Sequence, residues 1–98
     1  MTRGKQAAND NKVTTRSLVP APLFLPAFPQ ATRVRGKTML PGGGLRQRWK
    51  DRSGAIYEWD YQHGRVEVYN RRGRHVGEFD PYTGARTKPP NPNYQVEP

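Results

Sequence analysis

Four short runs of aromatic and β-branched residues recur along the second half of the chain, spaced by nearly ten residues. The runs are LRQRWK (45–50), AIYEWD (55–60), RVEVYN (65–70) and HVGEFD (75–80), and the glycine-bearing turns DRSG, HG, RRG and PYTG follow them. This composition is typical of β-strands, and turns this short join neighbouring antiparallel strands. The pattern predicts a mainly β fold (α+β at most), a small antiparallel meander with a last strand in ARTK (85–88).

The residues before these runs have a different character. Residues 1–16 show no apolar periodicity and are predicted to be disordered. SLVPAPLFLPAF (17–28) is the most apolar stretch, but its prolines exclude a helix and favour an extended or polyproline-like segment. We therefore predict a basic, Pro-rich, largely extended or disordered arm over residues 1–41 and a folded domain over 42–98.

PGGG (41–44) is predicted to be a hinge between these two parts, with every strand after it. An alternative stays open for the apolar stretch. Its Leu and Phe side chains could pack over one face of the sheet, because a domain this small has a thin core.

The net charge of +9, from 17 Lys and Arg against 8 acids, makes a nucleic-acid backbone the first partner to consider. An anionic membrane surface or an acidic protein would also fit. No run approaches the roughly 18 apolar residues of a membrane span, so no membrane insertion is expected. The chain has no cysteine and two histidines, so we expect neither a disulfide framework nor a metal site, and no small-molecule cofactor.

The hairpin around His63–Gly64 places acids and aromatics together. If those two residues form a two-residue turn, Asp60 faces Glu67, and Trp59 faces Val68. Alternation then separates the side chains into an apolar face (57, 59, 61, 66, 68) and a polar face (58, 60, 65, 67). Two carboxylates directly opposite each other cost stability, which suggests that they serve a function.

Asp60, His63 and Glu67 are the candidate catalytic residues. Close carboxylates raise one another's pKa, and a neighbouring histidine is stabilised in its protonated form. Such groups suit general acid–base catalysis near neutral pH. For RNA, we expect Glu67 to be the base that activates a ribose 2′-OH, His63 to be the acid that protonates the leaving 5′-oxygen, and Asp60 to orient His63.

Other residues are candidates for binding RNA. Trp49, Trp59 and Tyr69 could stack on bases, although aromatic residues of strands are more often core residues. The candidate phosphate ligands are Arg46, Arg48, Lys50, Arg65, Arg86 and Lys88.

Two simpler interpretations stay open at this point. Asp60 and Glu67 could pair with Arg65 and Arg71 on a solvated face. His75 is predicted to be a surface residue near a turn.

Several motifs in order resemble the C-terminal cytotoxic domain of the ribosome-inactivating colicins and cloacin. They are the Gly-rich start, RQRW, IYEWD-x-QHG-x-x-E, a Tyr two residues later, G-x-H-x-G-x-FDP-x-TG and the final P-x-P. The resemblance covers roughly residues 42–93. It implies a compact, highly twisted antiparallel sheet, a ribonuclease that cuts small-subunit (16S) ribosomal RNA at the decoding site, and an acidic immunity protein. It also implies action in the cytoplasm of a target bacterium after release from a producer.

Within this resemblance, Asp60, His63 and Glu67 fall on the family's catalytic residues. A further catalytic arginine of the family aligns with Tyr94. Two outcomes are open: Arg65, Arg86 or Lys88 substitutes for it, or activity is reduced. Two alternatives remain open: a non-catalytic RNA- or ribosome-binding module, and a ribonuclease of the same fold that acts on another RNA such as tRNA.

Overall fold

The structure, a computed structural model, describes residues 18–98. Within that range six strands form one antiparallel sheet in chain order, so the predicted mainly β fold is confirmed. The strands are β1 (Thr32–Val34), β2 (Arg48–Lys50), β3 (Ile56–Asp60), β4 (Arg65–Tyr69), β5 (His75–Phe79) and β6 (Arg86–Lys88). Residues 18–98 include no helix long and apolar enough to cross a membrane.

Strands β2 to β6 lie where the aromatic and β-branched runs predicted them. The prediction that every strand follows PGGG is wrong, because β1 precedes it and pairs with β2. The glycines form a tight turn. Leu40 N–H donates to Gly44 O (3.0 Å), and Met39 and Leu45 form a bridge around the turn.

The β3–β4 hairpin differs from the predicted register by two residues. Asp60 pairs with Arg65, and Glu67 pairs with Glu58 rather than with Asp60. The turn holds four residues, because the Asp60 carboxylate accepts the backbone N–H groups of Gln62 and His63. A shift of two keeps every side chain on its face, so the predicted separation into apolar and polar faces is confirmed.

The N-terminal segment, residues 18–31, covers the apolar face of the sheet. Leu25 is completely buried in the core cluster, and the Phe28 ring lies 5.2 Å from that of Tyr57. Both tryptophan indoles donate hydrogen bonds to carbonyls of this segment: Trp49 to Leu23 O (3.2 Å) and Trp59 to Val19 O (2.8 Å). The segment is not extended throughout, since Phe28 N–H donates to Leu25 O (2.9 Å) and Ala31 N–H to Phe28 O (3.0 Å) in two successive turns. The alternative that Leu and Phe side chains pack on the sheet holds for Leu25 and Phe28. The other Leu and Phe side chains of the segment are exposed: Leu18, Leu23 and Phe24.

The predicted disorder of residues 1–16 lies outside the described residues. Whether the chain divides at residue 41 into parts that fold separately stays a prediction, which a core substitution in the N-terminal segment can test.

The C-terminal segment, residues 89–98, crosses the polar face. Val96 N–H donates to Gly73 O (2.9 Å), and Arg48 Nη1 donates to Glu97 O (2.7 Å). Because this segment covers only part of the face, open cavities remain beside the central strands.

Candidate active site

A row of charged side chains runs across the polar face, one from each of five neighbouring strands. The strand register aligns them in the order Arg48, Glu58, Glu67, Glu78 and Lys88. Three adjacent glutamates repel one another when ionised, so each needs its own partner.

Glu58 is neutralised by Arg48. The guanidinium donates from Nε (3.0 Å) and Nη2 (2.8 Å) to Glu58 Oε2, and the Thr38 hydroxyl donates to the same oxygen (2.6 Å). Both charged side chains are at most 2% exposed. The structure therefore contradicts Arg48 as a phosphate ligand, because its guanidinium is buried and already paired.

Glu78, at the other end of the glutamate row, is also partnered. Thr87 Oγ1 donates to Glu78 Oε1 (2.6 Å), and Lys88 Nζ lies 3.8 Å from Oε2. The two outer glutamates are therefore held by β2 and β6, and the central one, Glu67, differs from both because its partner is a histidine.

Glu67 accepts a hydrogen bond from His75 across a distance of 2.7 Å from Nε2 to Oε1. Asn91 N–H donates to the other ring nitrogen, Nδ1 (2.9 Å). Because Nδ1 accepts, the ring proton lies on Nε2 and points at the carboxylate. The prediction that His75 is a surface residue is wrong, because its side chain is only 2% exposed and fixes the position of Glu67.

The pKa of Glu67 is raised, and burial is the main cause. The hydrogen bond from His75 opposes this effect, while the negative charges of Glu78 and Asp60 add to it. A carboxylate with a raised pKa is a stronger base when ionised, which suits proton abstraction.

His63 is held by Asp60 at the end of the β3–β4 hairpin. Its Nδ1 lies 2.8 Å from Asp60 Oδ2, and its side chain is 57% exposed. Because Nδ1 is committed to Asp60, Nε2 is the nitrogen available for proton exchange. Asp60 thus orients the ring with one oxygen and shapes the turn with the other.

These groups lie close together although they come from three strands and a turn. Single side-chain atoms of Asp60, His63 and Glu78 lie within 4.8 Å of one another, and Glu67 pairs directly with Glu78. This is the one group among residues 18–98 with a spacing that suits a metal ion. Two of its members, Asp60 and His63, are already in hydrogen-bond contact with each other.

A cavity of about 350 Å³ opens beside Glu67, between the sheet and the C-terminal segment. Arg46, Asp60, Tyr69 and Tyr94 are among its lining residues. A second cavity of about 340 Å³ lies on the other side of Glu67 and is lined by His75, Lys88 and Tyr94. Arg46 and Lys88 are thus the cations that flank the central carboxylate.

The structure separates the remaining predicted RNA ligands. Trp49 and Trp59 are buried on the apolar face and cannot stack on a base, whereas Tyr69 lines the cavity. Gly77 lies on the apolar side of the sheet, because it pairs with Val68 and precedes Glu78 of the polar face. The Arg86 side chain packs against Gly77 and so lies on that side too. Arg86 therefore lies away from the glutamate row.

The remaining two predicted phosphate ligands belong to the polar face. Arg65 faces Asp60 across the hairpin, and Lys50 lies beside Ile56 at the far end of β2. The interpretation in which Glu67 pairs with Arg71 is wrong, since His75 is its partner.

The chain also matches a known protein family. The model of the family described as Cytotoxic matches residues 19–97 of the chain. Because the match covers most of the chain, the chain belongs to that family of cytotoxic domains. The match includes the N-terminal segment that packs on the sheet.

The relatives include three Escherichia coli proteins. Colicin E3 is 48% identical over 58 residues, which are 57% of this chain and 10% of that protein. Cloacin is 46% identical and colicin-E6 45% identical over 67 residues, in each case 63% of this chain and 12% of the relative. The chain thus spans about a tenth of the length of these curated relatives, and the resemblance to the colicin and cloacin cytotoxic domain is confirmed.

Proposed function

We propose that this protein is a toxin endoribonuclease that cleaves small-subunit (16S) ribosomal RNA at the decoding site and so blocks translation. One observation carries the proposal. Glu67, a carboxylate with a raised pKa, lines one cavity together with Asp60, the carboxylate that holds His63, in a chain of the Cytotoxic family with a net charge of +9. Glu67 and His63 are the two kinds of proton-transfer group that RNA transesterification needs.

In the proposed reaction, ionised Glu67 removes the proton from a ribose 2′-OH. The 2′-oxygen forms a bond to the adjacent phosphorus while the bond from phosphorus to the 5′-oxygen breaks. His63 donates its Nε2 proton to the leaving 5′-oxygen, and Asp60 stabilises the protonated ring through Nδ1. The products are a 2′,3′-cyclic phosphate and a 5′-OH, and the protein residues supply both proton transfers.

Charge develops on the phosphoryl oxygens during this step, and Arg46 and Lys88 are the cations placed to meet it. Arg46 lines the cavity with Glu67 and donates from Nη1 to Trp59 O (2.7 Å), which fixes the guanidinium at the cavity wall. Lys88 lines the cavity on the opposite side. Of the three substitutes predicted for the family's arginine, Lys88 is supported by its position, and Arg46 joins it.

Tyr94, at the position of that arginine, packs its ring edge-on against His75 with a centroid distance of 5.1 Å. This contact helps to hold the ring that positions Glu67. A tyrosine carries no positive charge, however, and its presence favours the second candidate function, a module that binds RNA or the ribosome without cleaving it.

We further propose an acidic immunity protein as a partner, because a producing cell must protect its own ribosomes and the +9 charge favours an acidic surface. The site of action in this proposal is the cytoplasm of a target bacterium, after release from the producer.

The test is incubation of intact bacterial ribosomes with the protein in magnesium-containing buffer, followed by mapping of the RNA ends. A discrete fragment from the 3′ region of the small-subunit RNA, ending in a 5′-OH and absent with Glu67→Gln, supports the proposal. Binding without scission would support the non-catalytic module, and cleavage confined to tRNA would support the other ribonuclease.

A further inference from the structure

Two turns meet at the end of the sheet opposite to His63. The turn of residues 51–54 joins β2 to β3, and the turn of residues 70–74 joins β4 to β5. Alternate turns of an antiparallel meander lie at opposite ends, so both are remote from the β3–β4 turn. The two turns are in contact at Gly54 and Arg71. They are so close that a methyl group in place of the Gly54 hydrogen would lie 3.0 Å from the Cβ of Arg71.

Both turns are fixed by a polar side chain that accepts backbone N–H groups. Asp51 Oδ1 accepts from Ser53 N (2.9 Å) and Ala55 N (3.1 Å), while its Oδ2 accepts from the Tyr57 hydroxyl. Asn70 Oδ1 accepts in the same way from the N–H groups of residues 72 and 74 (2.9 and 3.1 Å). The backbone that carries the side chains of these turns is therefore well defined.

These turns present four exposed arginines, 52, 71, 72 and 74, which together we call the arginine tip. The acid in the turns, Asp51, is engaged within its own turn. No ion pair between residues 18–98 includes an arginine of the tip. None of the large exposed hydrophobic residues in this range lies in either turn.

Concentrated charge without apolar surface suits one class of ligand better than another. Protein interfaces have an apolar core depleted in charge, whereas contacts to nucleic-acid backbones are made by exposed arginines and lysines to phosphates. Five-residue strands at about 3.3 Å per residue separate the tip from the catalytic end by roughly 15 Å. A phosphate bound there would belong to a different part of the RNA from the scissile one.

We propose that the arginine tip is a second RNA-binding surface, which binds the phosphate backbone away from the scissile bond and sets the orientation of the RNA against Glu67. This inference rests on the proposed ribonuclease function. The tip contributes to affinity and orientation, and the proton transfers remain with the catalytic residues.

The test compares two pairs of substitutions that each remove two positive charges. The tip variant is Arg71→Gln with Arg72→Gln, and the matched control is Arg33→Gln with Arg35→Gln, exposed residues near β1. Both are made in the Glu67→Gln background, so that binding to purified small ribosomal subunits is measured without cleavage between about 50 and 300 mM salt.

The logarithm of the binding constant falls linearly with the logarithm of the salt concentration, and each phosphate contact contributes about 0.7 to the steepness of this slope on single-stranded RNA. The loss of two contacts therefore makes the slope shallower by about 1.4. We expect this decrease for the tip variant and less than about half of it for the control. Arg71→Lys with Arg72→Lys keeps the charge and retains most of the slope. Equal changes in the tip and control pairs, or no change in the tip pair, would overturn the proposal and leave the tip as a surface for an acidic protein.

Failure of the proposed function is detected separately. Wild-type protein that leaves ribosomal RNA intact would contradict the cleavage proposal. The binding comparison measures the contribution of the arginine tip to RNA affinity in the Glu67→Gln background, so its result does not depend on cleavage.

Discussion

Substitution of Leu25 by alanine is expected to destabilise the whole sheet, although Leu25 lies seven residues before the first strand. Its side chain is 0% exposed and belongs to the same core cluster as both tryptophans. Removing a fully buried leucine side chain costs about 2–5 kcal/mol, from lost burial and the cavity left behind. A small domain of this size is stable by only about 5–10 kcal/mol, so the loss is a large fraction of the total.

Thermal unfolding followed by circular dichroism measures this loss directly. Each 1 kcal/mol lowers the Tm of a domain of this size by about 4–8 °C, so Leu25→Ala is expected to lower it by at least about 8 °C. The matched control is Leu23→Ala, two residues earlier, because Leu23 is 77% exposed. Its effect on stability is expected to stay within about 0.5 kcal/mol.

The comparison also tests the division of the chain at residue 41. If residues 1–41 were an arm that folds apart from the sheet, both variants and a deletion of residues 1–40 would unfold at the wild-type temperature. That result would refute the assignment of Leu25 to the core. A lowered Tm for Leu25→Ala alone would show that the N-terminal segment and the sheet form one cooperative unit.

Glu67→Gln and His63→Ala are each expected to lower the cleavage rate on ribosomes by about 10²–10⁴-fold with little change in Tm; wild-type rates in either would reject their roles. The ionised form of Glu67 is the active base and its pKa is raised, so activity should rise with pH through an inflection above the ordinary glutamate value of 4.5. Because His75 lowers that pKa, His75→Ala should move the inflection to higher pH, and an unmoved profile would contradict the pair. Arg46→Ala should lower the single-turnover rate by about 10²–10³-fold with partial recovery in Arg46→Lys, and an unchanged rate would show that another cation meets the phosphoryl charge. The association rate with an acidic immunity protein should fall steeply with salt in stopped-flow measurements, and a salt-independent rate would count against that partner.

The strand pattern of the second half was predictable because each strand alternates and each turn carries glycine. The exact pairing was not, since the Asp60 side chain replaces a two-residue turn by a four-residue turn. The predicted faces survived this error because a register shift of two preserves them.

Two further features have separate physical reasons for escaping the sequence. Segment 18–31 docks through single side chains and backbone carbonyls, which leave no periodic pattern in a proline-rich stretch. His75 was predicted to lie at the surface because it stands next to a turn. A bulge between Val68 and Tyr69 brings it opposite Tyr69, where regular pairing would place Val76, and so onto the same face as Glu67.

Because both indoles donate hydrogen bonds to the N-terminal segment, intrinsic tryptophan fluorescence reports whether that segment is docked. The chain has only two tryptophans, and each donates to a backbone carbonyl of that segment. Release of the segment would expose both rings to water at once, shifting the emission to longer wavelength. Tryptophan emission therefore reads out the docking of residues 18–31, and a shift that precedes the loss of β-sheet circular dichroism would reveal a state in which the segment has left and the strands persist.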